Sequence, residues 1–594
     1  MKACEDLQES ILPAPGQYNL TSEQLAEALT GARNGANVDK KQEIWIAGKE
    51  KLPVLCTNSA PLSRSNVTSY DTSRQITIDT PSAGLLRGYR DKFGFRFLGI
   101  NYAEPTSGEA RFEPPTMLKV EKGTERDALQ YGPMCAQPPS FLNYGVVHPS
   151  EDCLTVNVYT PIVPGKTFTK EELQKLPVMV WYHGGGLVYG DNGPFPYNTT
   201  SSGYVGNSIS NPYDGSNLVS YGHVVLVVAN YRLNAFGWFN GKNAAVRDGI
   251  LALNWVKENI AAFGGDSAGG FMVRYLLGAN YDYTRGLFHR AILESDFPTG
   301  NGFMSLAKAE ENYLLLAEAL KCAPVNSTKY DNEVYECVKR QTVDSIAMAV
   351  LSANPAWGAV IDGDIFKEDF VVTIEKGNYP RVPTLWTSNN CEYAYQLGAL
   401  SETTPPSDYP GLLLDYFNTT QAQKILARQD LYPYKTAPAV GPVDGTVMTL
   451  AMLMTDYDVR CAMQYLAALQ TRTSNPGQVY LANFMVGLHS PLTPNDLCVG
   501  PTVCHGDEIY WVMATAETDN LYQPLSKDQL KVTQDVMSRW TELAWTGNPN
   551  PPSANVHWTP FVGDNSALID WTDSVVPYRT AQCEFLVNDI GMSL

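Results

Sequence analysis

A serine framed by glycines two residues to either side, Gly265-Asp266-Ser267-Ala268-Gly269, restricts the backbone more than any other stretch of this chain. The pattern suits a sharp turn from a strand into a helix, because glycines at those positions let the chain double back without Cβ clashes and expose the serine hydroxyl. The amide of Ala268 would then face an oxygen on which negative charge develops. Two apolar runs agree with such a setting. Val178 to Tyr182 and Val224 to Asn230 are continuous rather than alternating, as expected of strands covered by helices on both faces.

Composition narrows the functional classes. A chain of 594 residues with a net charge of −19 is a poor partner for nucleic acid or anionic membranes. No apolar run reaches the roughly 20 residues of a membrane helix. Residues 1–70 read as an extension: Thr21 and Gln24 make a capping box before Leu25-Ala26-Glu27-Ala28-Leu29, and little apolar sequence follows before residue 71, where one large domain running to residue 594 begins. Met1-Lys2-Ala3-Cys4-Glu5-Asp6 turns acidic at once and opens no signal peptide. Eleven cysteines, with sequons at Asn19, Asn66, Asn198, Asn326 and Asn418, point instead to an oxidising, glycosylating compartment. Both a secretory and a cytoplasmic location stay open.

The strand at Val178 to Tyr182 ends in His183-Gly184-Gly185-Gly186, whose glycines leave amides free to approach a ligand. From Ile76 onward, turn signals separate apolar stretches. Among these, Phe97-Leu98-Gly99-Ile100-Asn101-Tyr102-Ala103, running on to Arg111-Phe112-Glu113-Pro114, and Ser150-Glu151-Asp152-Cys153-Leu154-Thr155-Val156-Asn157-Val158-Tyr159 resemble the type-B carboxylesterase/lipase family, which includes cholinesterases and fungal lipases. The resemblance runs from about residue 75 to the C-terminus and implies an α/β-hydrolase fold: a mostly parallel central sheet flanked by helices.

By this resemblance Gly185 and Gly186 would donate, with Ala268, to the oxyanion, where losing one donor typically costs about 3 to 4 kcal/mol of transition-state stabilisation. Glu392, in Ser388-Asn389-Asn390-Cys391-Glu392-Tyr393, falls on the family's acid position. His505, in Cys504-His505-Gly506-Asp507-Glu508-Ile509, falls on its histidine. Ser267, Glu392 and His505 keep the Ser, acid, His order of α/β-hydrolases. Ser295 resembles a position that hydrogen-bonds the acid. Cys135 with Cys153 and Cys322 with Cys337 resemble the family's two disulfides; Cys498 and Cys504 could form a third, with free thiols equally open.

Asn254 to Asp266 matches the family closely, and then the match breaks. The family continues with a proline-led turn and an apolar strand ending in Gly-Glu before Ser-Ala-Gly-Gly, whereas here Ser267 follows Asp266 directly. The strand before the nucleophile is apparently deleted. Gly264 to Asp266 spans only about 10 Å, against about 17 Å for a five-residue strand. The cheaper repair ends the preceding helix near Lys257 and lets Ile260 to Gly264 run as the strand into Ser267.

The resemblance implies a serine carboxylic-ester hydrolase acting through an acyl-enzyme on a small-molecule or lipid ester, with no cofactor and no metal. The missing strand implies a different class: a catalytically inactive, cholinesterase-like binding or adhesion protein. Neither the ester specificity nor the oligomeric state is legible.

Overall fold

A computed structural model of the chain describes residues 72–139, 149–164, 176–198, 207–270, 272–299, 302–394, 397, 404–440, 444–473, 478–488, 498, 502–518 and 524–592. The extension expected over residues 1–70 lies outside the described residues.

Seven strands line up as Gln75–Asp79, Leu85–Asp91, Gly94–Asn101, Thr155–Thr160, Val225–Ala229, Leu176–Tyr182 and Gly265–Gly270, with the short strand Glu125–Asp127 paired to the second. A second sheet runs Ala291–Glu294, Thr384–Asn389, Val479–Phe484, Asn565–Ile569 and Ser574–Pro577. The sheets are parallel towards the middle of the molecule and antiparallel at the outer margins.

Continuous apolar runs have the consequence expected of them. Val225, Val227 and Ala229 bury into one core with Leu253 and Val256 of the helix Ala244–Asn259. Leu226 and Val228 bury on the opposite face with Trp540 and Leu543 of the helix Lys527–Thr546. Each fully buried side chain of this size contributes about 1.5 to 3 kcal/mol, so neither face of the strand tolerates a polar substitution.

The repair of the gap differs from the expectation. Ile260–Phe263 continues the helix as a 3-10 turn, with Ile260, Ala262 and Phe263 buried, and Gly264 closes it in the left-handed region at φ 89°. The strand is built from the serine motif itself, Gly265–Gly270. Packing decides this: the apolar stripe through Leu253, Val256, Ile260 and Phe263 is already committed to the core, and a strand register would pull its last two members out. Gly265 suits the new role, since a Cβ there would stand 2.6 Å from Val178 Cγ2. The ladder to Leu176–Tyr182 is irregular, pairing Asp266 with Pro177 and Gly269 with Met179, so that Ser267 and Ala268 bulge opposite one residue. Among the described residues no ladder joins Gly265–Gly270 to Ala291–Glu294, and the two sheets adjoin there.

Disulfides join Cys135 to Cys153, Cys322 to Cys337 and Cys498 to Cys504. A fourth, Cys461 to Cys583, spans 122 residues and has no local spacing that could announce it. Four disulfides among the described residues are consistent with a secretory-pathway protein. No helix among the described residues is long and apolar enough to cross a membrane.

Candidate active site

The loops that follow three strands converge on a cavity of about 390 Å³. His183 to Leu187 follows Leu176–Tyr182 and forms one wall. Gly185 adopts φ 113° and its carbonyl accepts from the Val188 and Tyr189 amides; a Cβ there would stand 2.1 Å from Tyr189 O, so only glycine fits. Gly186 also lies in the left-handed region. His183 stacks on Tyr231 at 4.7 Å, and burial pushes its pKa down to about 4, so it stays neutral and supports the loop rather than exchanging protons.

Glu392 and His505 come together as the resemblance implies. His505 Nδ1 lies 2.8 Å from Glu392 Oε2, with the carboxylate fully buried and the imidazole partly open to the cavity. Burial alone would raise the Glu392 pKa. The His505 hydrogen bond, the charge of His505 and the Asn389 amide at 2.6 Å overcome it and hold the carboxyl below its ordinary range. Burial likewise disfavours charged His505, but the hydrogen bond to Glu392 and the charges of Glu392, Glu508 and Asp507 win, and its pKa rises. Phe297 packs edge-on against the imidazole at 5.0 Å.

The sign of that shift sets a pH dependence. A raised pKa keeps His505 protonated to higher pH, so its base form accumulates only above the ordinary midpoint of about 6.5. An NMR titration of the His505 ring is expected to show a midpoint above that value, and Glu392→Gln to lower it. Equal midpoints in the two proteins would contradict the assigned cause.

Ser295 sits in the left-handed region at φ 50°, beneath this pair. Its hydroxyl donates to Glu508 Oε1 at 3.3 Å and also favours the ionised form of Glu392. Glu508 is a partner that sequence reading missed. It is buried, accepts from Asn389 Nδ2 at 2.5 Å, and its pKa is raised by burial and by the neighbouring Glu392 charge.

Ser267 does not occupy the strand-to-helix turn. It lies within the strand, and its side chain is outside the described ones. Ala268 shares that strand, so it does not open the helix as an oxyanion donor at this turn would. The turn falls at Met272, left-handed at φ 64°, followed by the helix Val273–Gly278, and Met272 lines the cavity together with His505 and Gly184 to Gly186. Five residue steps of about 3.3 Å each lead from Ser267 to that position. Length arithmetic could have found this: a six-residue strand starting at Gly265 ends at Gly270, and Val273, Leu276 and Leu277 already show helical spacing. Two residues beyond the turn, Arg274 pairs with Asp296 at 2.6 Å on the cavity wall.

Residues 73–586 match the profile of the Carboxylesterase family. Fatty acyl-CoA hydrolase, medium chain, of Anas platyrhynchos is 28% identical over 535 residues, covering 82% of this chain and 88% of that protein. Carboxylesterase 1E of Mus musculus is 27% identical, with coverage of 82% and 88%. Neuroligin-3 of Mus musculus is 26% identical over 77% of this chain and 59% of its own length.

Proposed function

Since the chain belongs to the carboxylesterase family, we propose that it is a serine-type hydrolase of carboxylic esters, small-molecule or lipid. In this reading Ser267 attacks the ester carbonyl, His505 takes the hydroxyl proton and returns it to the leaving alcohol, and Glu392 fixes the imidazole tautomer and stabilises the imidazolium. The amides of Gly185 and Gly186 receive the oxyanion, joined by that of Ala268 only when Ser267 is brought to the cavity. Water then attacks the acyl-enzyme, with His505 again as base, and releases the acid. One observation carries the reading: the 2.8 Å His505–Glu392 hydrogen bond opens on the same cavity as the glycine loop.

The step asks Ser267 to come within about 3 Å of His505 Nε2. The strand that carries it is rich in glycine, bulged at Ser267 and Ala268, and laddered on one side among the described residues. Those are the properties of a weakly specified register.

A second reading is favoured by the placement of Met272 at the turn. A thioether there has no proton to give His505 and attacks no ester, which leaves a binding or adhesion protein with the cavity kept and hydrolysis lost. Incubation with a fluorophosphonate, followed by peptide mass spectrometry, separates the two. Label on Ser267 that disappears in Ser267→Ala is the expected result for the hydrolase. Folded protein that takes no label under forcing reagent belongs to the second reading.

The reading places the chain in the secretory pathway. Asn326 and Asn418 are exposed, and the Asn418 side chain caps the helix Thr419–Ala427 through its oxygen, which leaves the amide nitrogen for a glycan.

A further inference from the structure

Between the helices Gly445–Thr455 and Cys461–Thr473, residues Asp456–Arg460 form a π-helical turn, a distortion frequent at functional sites. Asp456 and Arg460 are both buried, and Arg460 Nη1 donates to Asp456 Oδ1. The rest of the guanidinium serves the segment that carries Glu392. Nη2 donates to Asn389 O at 3.1 Å and to Asn390 O at 2.6 Å, and Nε to Asn483 Oδ1 at 3.3 Å.

Those two carbonyls belong to the residues that shape the acid's surroundings. The Asn389 amide donates to Glu392 Oε1, its side chain donates to Cys504 O at 2.8 Å beside His505, and Asn390 Oδ1 accepts from Val503 N at 2.9 Å. One guanidinium therefore grips the junction at which the acid loop and the histidine loop are tied together. Asp456 is braced in turn by Tyr432 at 3.0 Å and by Arg579 Nε at 3.1 Å. Cys583, four residues beyond Arg579, is bonded to Cys461, the residue after Arg460.

We propose that Arg460 is a positioning residue for Glu392, which through the carbonyls of Asn389 and Asn390 holds the loop geometry that aims Glu392 at His505, with Asp456 and Arg579 as its support. The proposal rests on Glu392 and His505 as acid and base, but its test needs no nucleophile. A buried ion network that only stabilised the fold would not lower the His505 midpoint, because loss of the Arg460 positive charge by itself favours the imidazolium.

The charged groups facing His505 are Glu392, Glu508 and Asp507, with Glu294, Asp296 and Arg274 elsewhere on the cavity wall. None is altered by Arg460→Met, and Asp456 keeps Arg579 as a partner in that variant. The His505 ring is titrated by NMR in full-length protein with disulfides intact, its signal assigned by its loss in His505→Gln. Arg460→Met is expected to lower the midpoint by about one unit, the scale on which one well-placed carboxylate acts. Arg460→Lys, which keeps the charge but cannot fork to two carbonyls, is expected to lower it by about half as much. A folded Arg460→Met protein with the wild-type midpoint overturns the proposal. If Arg460→Met does not fold, Arg460→Lys decides, and an unchanged midpoint there overturns it equally. Absence of phosphonate label on the wild type would remove the hydrolase reading and leave this comparison standing.

Discussion

A serine installed at the turn, Met272→Ser in a Ser267→Ala background, is expected to raise the rate of fluorophosphonate labelling on the order of 10³-fold over the Ser267→Ala parent. The size follows from what removal of a triad member costs in serine hydrolases, where losses on the order of 10⁴-fold are common; a site assembled by substitution should recover less than the whole. The backbone at residue 272 already lies in the left-handed region, so serine inherits a conformation for which methionine has borne the strain. The change removes volume from a partly buried site and thus invites no overpacking. His505, its Glu392 partner and the glycine loop need no alteration. Intact-mass spectrometry with peptide mapping should find the label on residue 272. A folded double variant that labels no faster than its parent would show that the imidazole is not aimed at the turn, and that Met272 stands outside the reacting centre.

The contrast between Met272 and Ser267 shows where local sequence stops being informative. The glycine loop was legible because it closes a continuous apolar strand, Leu176–Tyr182, whereas the acid and the histidine were legible only through the family motifs around Glu392 and His505. The bridges Cys135–Cys153 and Cys322–Cys337 were legible through the family resemblance, with loops short enough to close. The turn was not, because the edge of Leu176–Tyr182 pairs with the glycine-rich motif itself and draws it into the sheet. Its composition argues for a turn, yet the ladder available from Leu176–Tyr182 outweighs that preference, since unpaired buried amides and carbonyls cost about 1 to 3 kcal/mol each. The grip of Arg460 on Asn389 and Asn390 was invisible for a related reason. Its partners are about 70 residues away in sequence, and no periodicity reports a side chain reaching backbone carbonyls at that separation.

Asp248→Ala is expected to cost about 3 to 5 kcal/mol of stability, a large share of the roughly 5 to 15 kcal/mol that holds a typical domain folded. Asp248 accepts from the Arg232 backbone amide at 3.0 Å, from Nε at 2.9 Å and from Nη2 at 2.7 Å, with both side chains buried. Removing the carboxylate leaves a guanidinium in the interior whose remaining contact is Glu113 O at 2.8 Å. Most of the loss should come from that uncompensated charge rather than from the contacts themselves. The double variant Arg232→Met, Asp248→Leu tests this directly: it discards the same hydrogen bonds but buries no charge, and it is expected to recover about half of the loss or more, less what the abandoned Glu113 carbonyl costs. Urea unfolding midpoints with disulfides intact would measure both. The pair also bears on the cavity, because Tyr231, the neighbour of Arg232, donates to His183 O at 2.8 Å and stacks on the imidazole that backs the glycine loop. Asp248→Ala should therefore loosen that wall in protein that is still folded. A double variant less stable than Asp248→Ala would mean that the bidentate contacts, and not the relief of a buried charge, hold residues 230–233 in place.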